Sequence, residues 1–299
     1  MTVAAPNPHL LSIDDLVTAD IDWIMERSRS HLRAVSTMRT RPFATGLVFL
    51  TPSLRTRVGF ASATARLGGV PIEILDRRGG AEMSDSESLW DTLRTASGLV
   101  DVLVTRTTGP LGTLVDEIQV PILNGGEAGG EHPTQALIDL LAIEEEKGGL
   151  EGLSIGLCGD LGARTTRSLV KLFGRRTPKE LVLMGPSERA LPPQSLTAGL
   201  SRVTRFEEHL DPHGLDVLYM IGLAPGGPGG LIPDSTRRRF ALDSNGLDRL
   251  LPDAVVLSPL PLIDELTHGA WSDPRVRIFQ QSDRGVAVRM ACLEYVLGA

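Results

Sequence analysis

Lysine is nearly absent from this chain of 299 residues, although positive charge is not. Of its 30 basic residues only Lys147, Lys171 and Lys179 are lysines, and the formal net charge is −7. The field of such a chain attracts neither nucleic acid nor an anionic membrane, so neither is an expected partner. Any anionic ligand must instead be held by local arginines.

Long apolar segments and clusters of metal ligands are absent from the sequence as well. No apolar run is long enough to span a membrane, and residues 1–9 lack the charged and apolar segments of a secretion signal. The two cysteines, Cys158 and Cys292, lie in apolar segments, where a buried thiol is favoured over a disulfide or a metal ligand. The sequence therefore predicts a globular cytoplasmic protein with no metal site.

Short apolar runs alternate with helix-forming stretches along the whole chain. Strands are predicted at 47–50, 71–75, 102–105, 120–123, 153–158, 180–184, 217–220 and 254–257. Helices are predicted at 13–35, 88–99, 111–117, 193–199, 243–250 and 286–297. Three further helices are predicted: one that ends at residue 67, one that begins after residue 133 and one that includes residues 169 and 173. This alternation indicates parallel sheets flanked by helices, whose ligands bind at the carboxyl ends of the strands.

The two halves of the chain repeat this pattern. The acidic stretch 144–147 and two glycines end the first half, and a new strand begins just beyond them. We predict an α/β fold of two doubly wound parallel-sheet (Rossmann-like) domains joined by helices. Residues 1–145 with 285–299 form the first domain and residues 146–284 the second, because the apolar final helix is expected to pack back onto the first half.

The segment Phe49–Arg57 joins an apolar strand to the start of a helix. Free backbone N–H groups point out of the first turn of a helix, and the helix dipole favours negative charge there. Ser53 and Thr56 add hydroxyl groups, and Arg55 adds a planar cation suited to phosphate oxygens. The segment is either a phosphate cradle or an ordinary helix start with a capping serine and solvated arginines.

Two further positions carry chemistry beside predicted strands and helices. His132 lies just before a helix that starts at Pro133, after the glycine-rich residues 124–130. A neutral imidazole there can donate a hydrogen bond to a carbonyl oxygen, and a helix-capping histidine is the alternative. Arg106 follows the strand 102–105, where a lone arginine is either a ligand contact or a surface residue.

Taken together, these motifs resemble the aspartate and ornithine carbamoyltransferase family, most closely its aspartate branch. The resemblance rests on the order and spacing of motifs that extend over nearly the whole chain. These motifs are Ser53-x-Arg55-Thr56-Arg57, Arg106, His132-Pro133-Thr134-Gln135, Gly159-Asp160, Arg164-x-x-Arg167-Ser168, Ser258-Pro259-Leu260-Pro261, Phe279-Gln280-Gln281 and Gly285 to Met290.

The resemblance implies transfer of the carbamoyl group of carbamoyl phosphate to a small amine or amino acid, by direct attack through a tetrahedral intermediate and with no cofactor. The catalytic residues that it implies are His132, Arg106, Thr56 and Arg55. Carbamoyl phosphate would be bound by Ser53, Leu54, Arg55, Thr56, Arg106, His132, Gln135 and Leu260. The acceptor would be bound by Arg164, Leu260 and Pro261. A homotrimer with shared active sites is also implied.

Two departures from the family concern the donor. Leu54 stands where aspartate and ornithine enzymes usually have threonine, a mild change if the residue acts through its backbone N–H. In aspartate enzymes a neighbouring subunit lends the phosphate a loop with a serine and a lysine. The matching residues 81–87 contain three acids and no lysine. They repel phosphate unless the acids turn away, face a cationic substrate or are offset by Arg77 and Arg78.

The acceptor region departs further. Aspartate enzymes place an arginine and a glutamine after the strand that matches 217–220, to bind the carboxylates of the amino acid. Here residues 221–230 carry no charge, and Ser258 and Leu262 replace the histidine and the arginine of the proline motif. Arg164 is retained, and Arg237–Arg239 are candidate replacements. The signatures of ornithine enzymes are also absent.

Three functions stay open on this basis. The leading hypothesis is a carbamoyltransferase whose acceptor is not plain aspartate. The second is an ordinary aspartate carbamoyltransferase of pyrimidine synthesis with a divergent acceptor site. The third is a paralogue that transfers another group, or a phosphate-binding or assembly protein without turnover.

Overall fold

A computed structural model describes residues 9–33, 42–75, 88–189, 203–226 and 230–298. In these ranges the chain forms two parallel β-sheets flanked by helices, which confirms the predicted fold class. The chain divides into two compact units, Met1–Leu137 with Arg284–Ala299 and Ile138–Asp283. The helices in the described ranges are too short or too polar to cross a membrane.

The elements alternate as the sequence pattern indicates. The strands are β1 (Ala44–Phe49), β2 (Val70–Leu75), β3 (Val102–Arg106), β4 (Ile122–Asn124), β5 (Ser154–Gly159), β6 (Glu180–Met184), β7 (Val203–Glu207), β8 (Val217–Ile221) and β9 (Val255–Leu257). The helices are α1 (Thr18–Leu32), α2 (Leu54–Arg66), α3 (Leu89–Ser97), α4 (Pro133–Lys147), α5 (Arg164–Arg175), α6 (Asp234–Arg238), α7 (Ser244–Asp248), α8 (Ile278–Asp283) and α9 (Gly285–Val296). Short 3-10 turns lie at Ile13–Asp15, Gly112–Glu117, Ser187–Arg189 and His268–Ala270.

The first unit contains a sheet with the strand order β2-β1-β3-β4, in which every pair is parallel. β3 and β4 are buried along their whole length, as strands covered on both faces are. β2 lies on one side of β1 and β3 on the other, so the strand order reverses between β1 and β3. Ligands of doubly wound sheets bind at the carboxyl ends of the strands beside such a reversal.

The second unit contains a sheet with the order β7-β6-β5-β8-β9, again parallel throughout. Its reversal lies between β5 and β8. At the end of β5, Gly159 has φ +114°, and a Cβ atom there would lie 1.8 Å from the carbonyl oxygen of Ile221. Only glycine can therefore bring the end of β5 this close to the end of β8.

The final helix, α9, belongs to the first unit. Almost all of its side chains are buried, and it contacts α1 and α2. Its one acidic residue, Glu294, accepts hydrogen bonds from Arg27 Nε at 2.7 Å and from Arg27 Nη2 at 2.6 Å. His31 Nε2 lies 2.7 Å from the same carboxylate. An ion pair thus fixes α9 against α1.

Some elements differ from the sequence prediction. Helix α4 is continuous and passes from the first unit to the second after Leu137, whereas the predicted domain boundary lies further along the same helix. The predicted helix at 111–117 is a 3-10 turn, because it is too short to form stable α-helical turns. The sequence pattern did not indicate β7, α6 or α8. The predicted helix at 193–199 lies outside the described residues.

Candidate active site

Ser53 lies where β1 meets α2, at the N-cap position of the helix. Its backbone is extended, with φ −159° and ψ 104°, and its hydroxyl makes no capping hydrogen bond to the helix. The first backbone N–H groups of α2 have no partners within the helix. Ser53 therefore does not act as an ordinary capping serine, and its hydroxyl stands beside free backbone donors at the carboxyl end of β1.

Arg55 lies in the first turn of α2 with an exposed side chain. It has neither an ion pair nor a hydrogen bond to any described residue, and partial burial lowers the pKa of its guanidinium. Another guanidinium, that of Arg289, is close enough to act on it electrostatically. Arg55 thus carries a positive charge that no carboxylate of the described chain neutralises, whereas Arg57 in the same turn lies 3.6 Å from Glu73.

Arg289 is a buried cation that sequence reasoning did not assign to the site. Its guanidinium carbon lies 5.6 Å from the ring centre of Phe60, and a Cβ atom on Gly59 would lie 2.5 Å from its Nη1. Burial, and then the charge of Arg55, lower the pKa of Arg289 to about 10. In the sequence, Arg289 could have been noticed as the one basic residue of the largely apolar α9.

Arg106 ends β3 and is buried. It pairs with Phe49 across the sheet, which brings the ends of β1 and β3 together. Its Nε donates a hydrogen bond to Thr51 Oγ1 at 3.0 Å, and its Nη1 donates to the carbonyl oxygen of Gly125 at 3.1 Å. The guanidinium is therefore held at the carboxyl edge of the sheet, as its position after a parallel strand predicts.

His132 meets Thr56 at this edge. The Nε2 atom of His132 lies 3.3 Å from Thr56 Oγ1, and both side chains are 4% exposed. The carbonyl oxygen of His132 accepts hydrogen bonds from the backbone N–H groups of Gln135 at 3.0 Å and Ala136 at 3.3 Å, which fixes it to the start of α4. The backbone of His132 thus caps the start of α4, and its ring contacts the hydroxyl of Thr56 in the first turn of α2.

Gly125 connects the two halves of this arrangement. A Cβ atom on Gly125 would lie 3.4 Å from Thr56 Cγ2. The carbonyl oxygen of Gly125 accepts the hydrogen bond from Arg106. The first unit therefore gathers the predicted Arg106, Thr56 and His132 around one close-packed glycine. Ser53, Leu54 and Arg55 lie on the adjoining first turn of α2, and Gln135 lies on the first turn of α4.

The second unit holds the remaining predicted residues. Arg164 begins α5, is half-buried, and has no hydrogen bond or ion pair to any described residue. Burial lowers the pKa of its guanidinium. Leu260 has φ 59°, a left-handed conformation that is unusual for leucine, and a cis peptide bond joins it to Pro261. Leu260 and Pro261 follow β9.

A buried hydrogen-bond network supports Leu260, and sequence reasoning missed it. The backbone N–H of Leu260 donates to Ser258 Oγ at 3.1 Å, and that of Ser258 donates to Gln281 Oε1 at 2.9 Å. Gln281 Nε2 donates to Asp139 at 2.6 Å, and the hydroxyl of Tyr219 donates to the same carboxylate at 2.6 Å. Burial, and then the charge of Asp139, raise the pKa of Tyr219. In the sequence, Asp139 and Tyr219 could have been noticed as polar residues with apolar neighbours in α4 and β8.

Several predicted features bear on substrates and metals. The acidic residues 81–87, with Arg77 and Arg78, lie outside the described residues. Arg237 pairs with Asp264 at 2.7 Å and also with Asp234, so this candidate replacement already has carboxylate partners. The thiols of Cys158 and Cys292 are free and buried, and burial raises both pKa values. In the part of the chain that the structure describes, no group of three His, Cys, Asp or Glu residues is placed to hold a metal ion.

Comparison with known proteins agrees with this arrangement. Residues 8–145 match the family model described as aspartate/ornithine carbamoyltransferase, carbamoyl-P binding domain. An aspartate carbamoyltransferase catalytic subunit from Archaeoglobus fulgidus is 34% identical over 97% of this chain and 99% of its own length. The corresponding subunit from Finegoldia magna is 33% identical over 98% of both chains.

Solved structures are similar over the same extent. Aspartate transcarbamoylase from Trypanosoma cruzi, in complex with phosphate, has a TM-score of 0.85 at 29% identity and covers 98% of this chain and 97% of its own. Ornithine carbamoyltransferase from Gloeobacter violaceus has a TM-score of 0.83 at 25% identity and covers 98% of this chain and 99% of its own. The chain therefore belongs to the aspartate/ornithine carbamoyltransferase family and is a carbamoyltransferase, as its motifs predicted.

Proposed function

We propose that this protein transfers the carbamoyl group of carbamoyl phosphate to the amine of an amino acid. The observation that carries the proposal is the contact of His132 with Thr56, beside the buried Arg106 and the unpaired Arg55. These groups form a set of hydrogen-bond donors and cations at the carboxyl edge of the first sheet. An acyl phosphate, in which a phosphate oxygen is bonded to a reactive carbonyl carbon, matches such a set.

The phosphate is proposed to bind at the start of α2. Ser53 and the backbone N–H of Leu54 donate to its oxygens, as does the hydroxyl of Thr56. Arg55 and Arg106 supply the positive charge, and Arg289 adds to the local potential from behind Phe60. Guanidinium groups suit phosphate because their planar N–H donors match its oxygens in pairs.

The chemical step needs neither a nucleophilic side chain nor an added cofactor. The neutral amine of the acceptor attacks the carbamoyl carbon, so that a C–N bond forms and the carbonyl oxygen becomes negative. His132, Thr56 and Arg106 donate to that oxygen, and each well-aimed donor is worth about a hundredfold to a thousandfold in rate. The C–O bond to phosphate then breaks, phosphate leaves with the electron pair, and the amine loses its proton to phosphate or solvent. Gln135 is proposed to hold the carbamoyl nitrogen.

The identity of the acceptor is the finer part of the proposal. Relatives that match at about a third identity are named aspartate carbamoyltransferases, and this favours aspartate as the first acceptor to test. A different amino acid is the second candidate, because residues 221–230 carry no charge in the region where aspartate enzymes carry an arginine. In either case Arg164 is proposed to bind the carboxylate next to the reacting amine.

Calorimetry followed by a product assay tests the function. We expect carbamoyl phosphate and inorganic phosphate to bind the purified protein, and a panel of amino acids to give one carbamoylated product. No binding of carbamoyl phosphate at millimolar concentration would overturn the proposal. Binding without any carbamoylated product would favour a paralogue with another group to transfer or with no turnover.

The predicted homotrimer and cytoplasmic location stay predictions. In the family resemblance, each active site receives a loop from the neighbouring subunit, and the matching residues here are 81–87. Light scattering coupled to gel filtration measures the assembly state directly. A protein that is active as a monomer would contradict the shared site.

A further inference from the structure

The reversal of strand order in the second sheet places two loops side by side. β5 and β8 are neighbours, and Gly159 at the end of β5 pairs with Ile221 at the end of β8. Arg164 begins α5 directly after the first loop, and Gly222 lies on the second loop. Because ligands of doubly wound sheets bind outside the carboxyl ends of the strands at such a reversal, this edge is where an acceptor is expected.

Glu265 fills the space beside Gly222. A Cβ atom on Gly222 would lie 2.9 Å from Glu265 Oε2 and 2.9 Å from Ile263 Cδ1. Glu265 is only 4% exposed, whereas Ile263 is 43% exposed. A glycine is therefore required here for the carboxylate to occupy its present position.

The carboxylate of Glu265 is only partly satisfied by the chain. Its Oε2 accepts hydrogen bonds from the backbone N–H groups of Ile263 at 2.7 Å and Asp264 at 3.1 Å. Its Oε1 is buried and has no hydrogen-bond partner among the described residues. No cation of the described chain pairs with it, since Arg237 pairs with Asp264 and Asp234 instead.

An isolated buried carboxylate is costly unless a partner neutralises it. Burial raises the pKa of Glu265 by more than its backbone hydrogen bonds lower it, and the charge of Asp264 adds to the rise. Arg164, at the start of α5, is a half-buried cation without a carboxylate partner in the described residues. One edge of the sheet thus carries an uncompensated anion and an uncompensated cation.

We propose that Glu265 binds a cationic group of the acceptor, so that the acceptor is an amino acid with a second, positively charged nitrogen. The inference rests on the proposed carbamoyl transfer and specifies its acceptor. Arg164 binds the carboxylate, the neutral amine attacks, and the second ammonium or guanidinium group stays charged against Glu265. The exposed side chain of Ile263, which also lies beside Gly222, rotates away on binding, since exposed side chains change rotamer rapidly.

Aspartate fits this edge less well than an amino acid of its size with a cationic side chain. Its second carboxylate would lie beside Glu265 without an arginine between them, and like charges at short range repel. A neutral side chain, as in asparagine, would leave Oε1 without a cation. The structure therefore ranks the three classes of acceptor as cationic, then neutral, then anionic.

An acceptor panel of matched length tests this ranking. Carbamoylation is measured for 2,3-diaminopropionate, 2,4-diaminobutyrate, asparagine and aspartate with saturating carbamoyl phosphate. We expect kcat/KM for the better diamino acid to exceed that for aspartate by about 30-fold or more, the size of effect that a buried charge pair produces. A preference for aspartate or asparagine overturns the inference. Loss of carbamoyl phosphate binding would instead contradict the proposed function.

A pair of variants assigns the preference to Glu265. Glu265→Gln keeps the size of the side chain and an acceptor for the two backbone N–H groups, and we expect it to reduce the preference for the diamino acid by about 30-fold. Asp264→Asn makes the same change of charge one residue away, at a carboxylate that already pairs with Arg237, and is expected to leave the preference unchanged. Equal effects of the two variants, or no effect of Glu265→Gln at unchanged carbamoyl phosphate binding, would overturn the assignment.

Discussion

The Nε2 atom of His132 lies 3.3 Å from the hydroxyl oxygen of Thr56, although 76 residues separate the two in the chain. The contact joins the residue before α4 to the first turn of α2. It is buried, so the hydrogen bond is shielded from water. Both groups can therefore act on one carbonyl oxygen without the competition that solvent would bring.

Replacement of Arg55 by alanine is expected to abolish donor binding. Arg55 is the exposed cation of the cradle and has no partner in the described chain to compensate for its loss. We expect the Kd for carbamoyl phosphate to rise by about 100-fold or more, as for loss of a charge-assisted contact, measured by calorimetry. Arg66→Ala, an exposed arginine at the far end of the same helix, is the matched control. Equal losses in both variants would contradict the role of Arg55.

Replacement of His132 by alanine is expected to reduce turnover much more than donor binding. In the proposed mechanism His132 donates to the oxygen that becomes negative only in the transition state, so its loss is expected to affect kcat most. We expect kcat to fall by about 100-fold to 1000-fold, the range for one oxyanion donor, with a small change in the Kd for carbamoyl phosphate. Steady-state kinetics and calorimetry measure the two quantities. Unchanged turnover would remove the assigned role.

The buried network behind Leu260 is expected to affect catalysis as well as stability. Tyr219→Phe removes one hydrogen bond to Asp139 and is expected to lower the free energy of unfolding by about 1 to 3 kcal/mol. Because Asp139 is linked through Gln281 to the Ser258–Leu260 segment, kcat should fall too.

Thr64→Val is the matched control for this network. It removes another buried hydrogen bond, from Thr64 to Thr45 at 3.0 Å, on the first unit and away from Leu260. Unfolding by urea and steady-state kinetics are measured on both variants. If both variants lose stability and neither loses kcat, the network has only a structural role.

The pairing of Glu294 predicts a loss of stability in acid. Burial raises its pKa, but the hydrogen bonds from Arg27 and His31 outweigh burial, and the pKa of Glu294 lies below its ordinary value of 4.5. The unfolded chain therefore binds the proton more readily than the folded one. The stabilisation is complete above about pH 5 and is lost as the pH falls through the lowered pKa.

Glu294→Gln tests this dependence. At pH 7 we expect it to lower the free energy of unfolding by about 3 kcal/mol, because Arg27 loses a buried partner. The difference between wild type and variant should shrink as the pH falls below 4.5, which urea unfolding at several pH values measures. Glu26→Gln, at an exposed carboxylate 3.8 Å from Arg29, should change stability by less than about 0.5 kcal/mol. A difference for Glu294→Gln that does not depend on pH would contradict the pairing.

Residues next to strand ends were the predictable part of the site. Ser53 and Arg55 follow β1, and Arg106 ends β3. Parallel neighbours bring their carboxyl ends to one edge, so proximity followed from the α/β pattern once the two strands were known to pair. The short elements β7, α6 and α8 escaped prediction, because a few residues carry too little periodicity to stand out.

Charges that act from distant segments could not be predicted. Arg289 lies in α9, more than 200 positions after Arg55, and nothing in its own segment indicates that it packs on Phe60. Asp139 and Tyr219 lie in apolar segments where only their partners explain them. Such residues become candidates when the packing of the helices on the sheets is known.

The sequence by itself determined the α/β fold, the family and the chemical types of the residues at the strand ends, because hydrophobic alternation and motif order are properties of local sequence. Only the tertiary structure decided that Thr56 meets His132 and that Glu265 stands beside Gly222. It also decided that, among the described residues, neither Arg55 nor Arg289 has a carboxylate partner and Glu265 has no cation partner. Whether a charge is compensated depends on which distant segments come together in space, and this is set by packing.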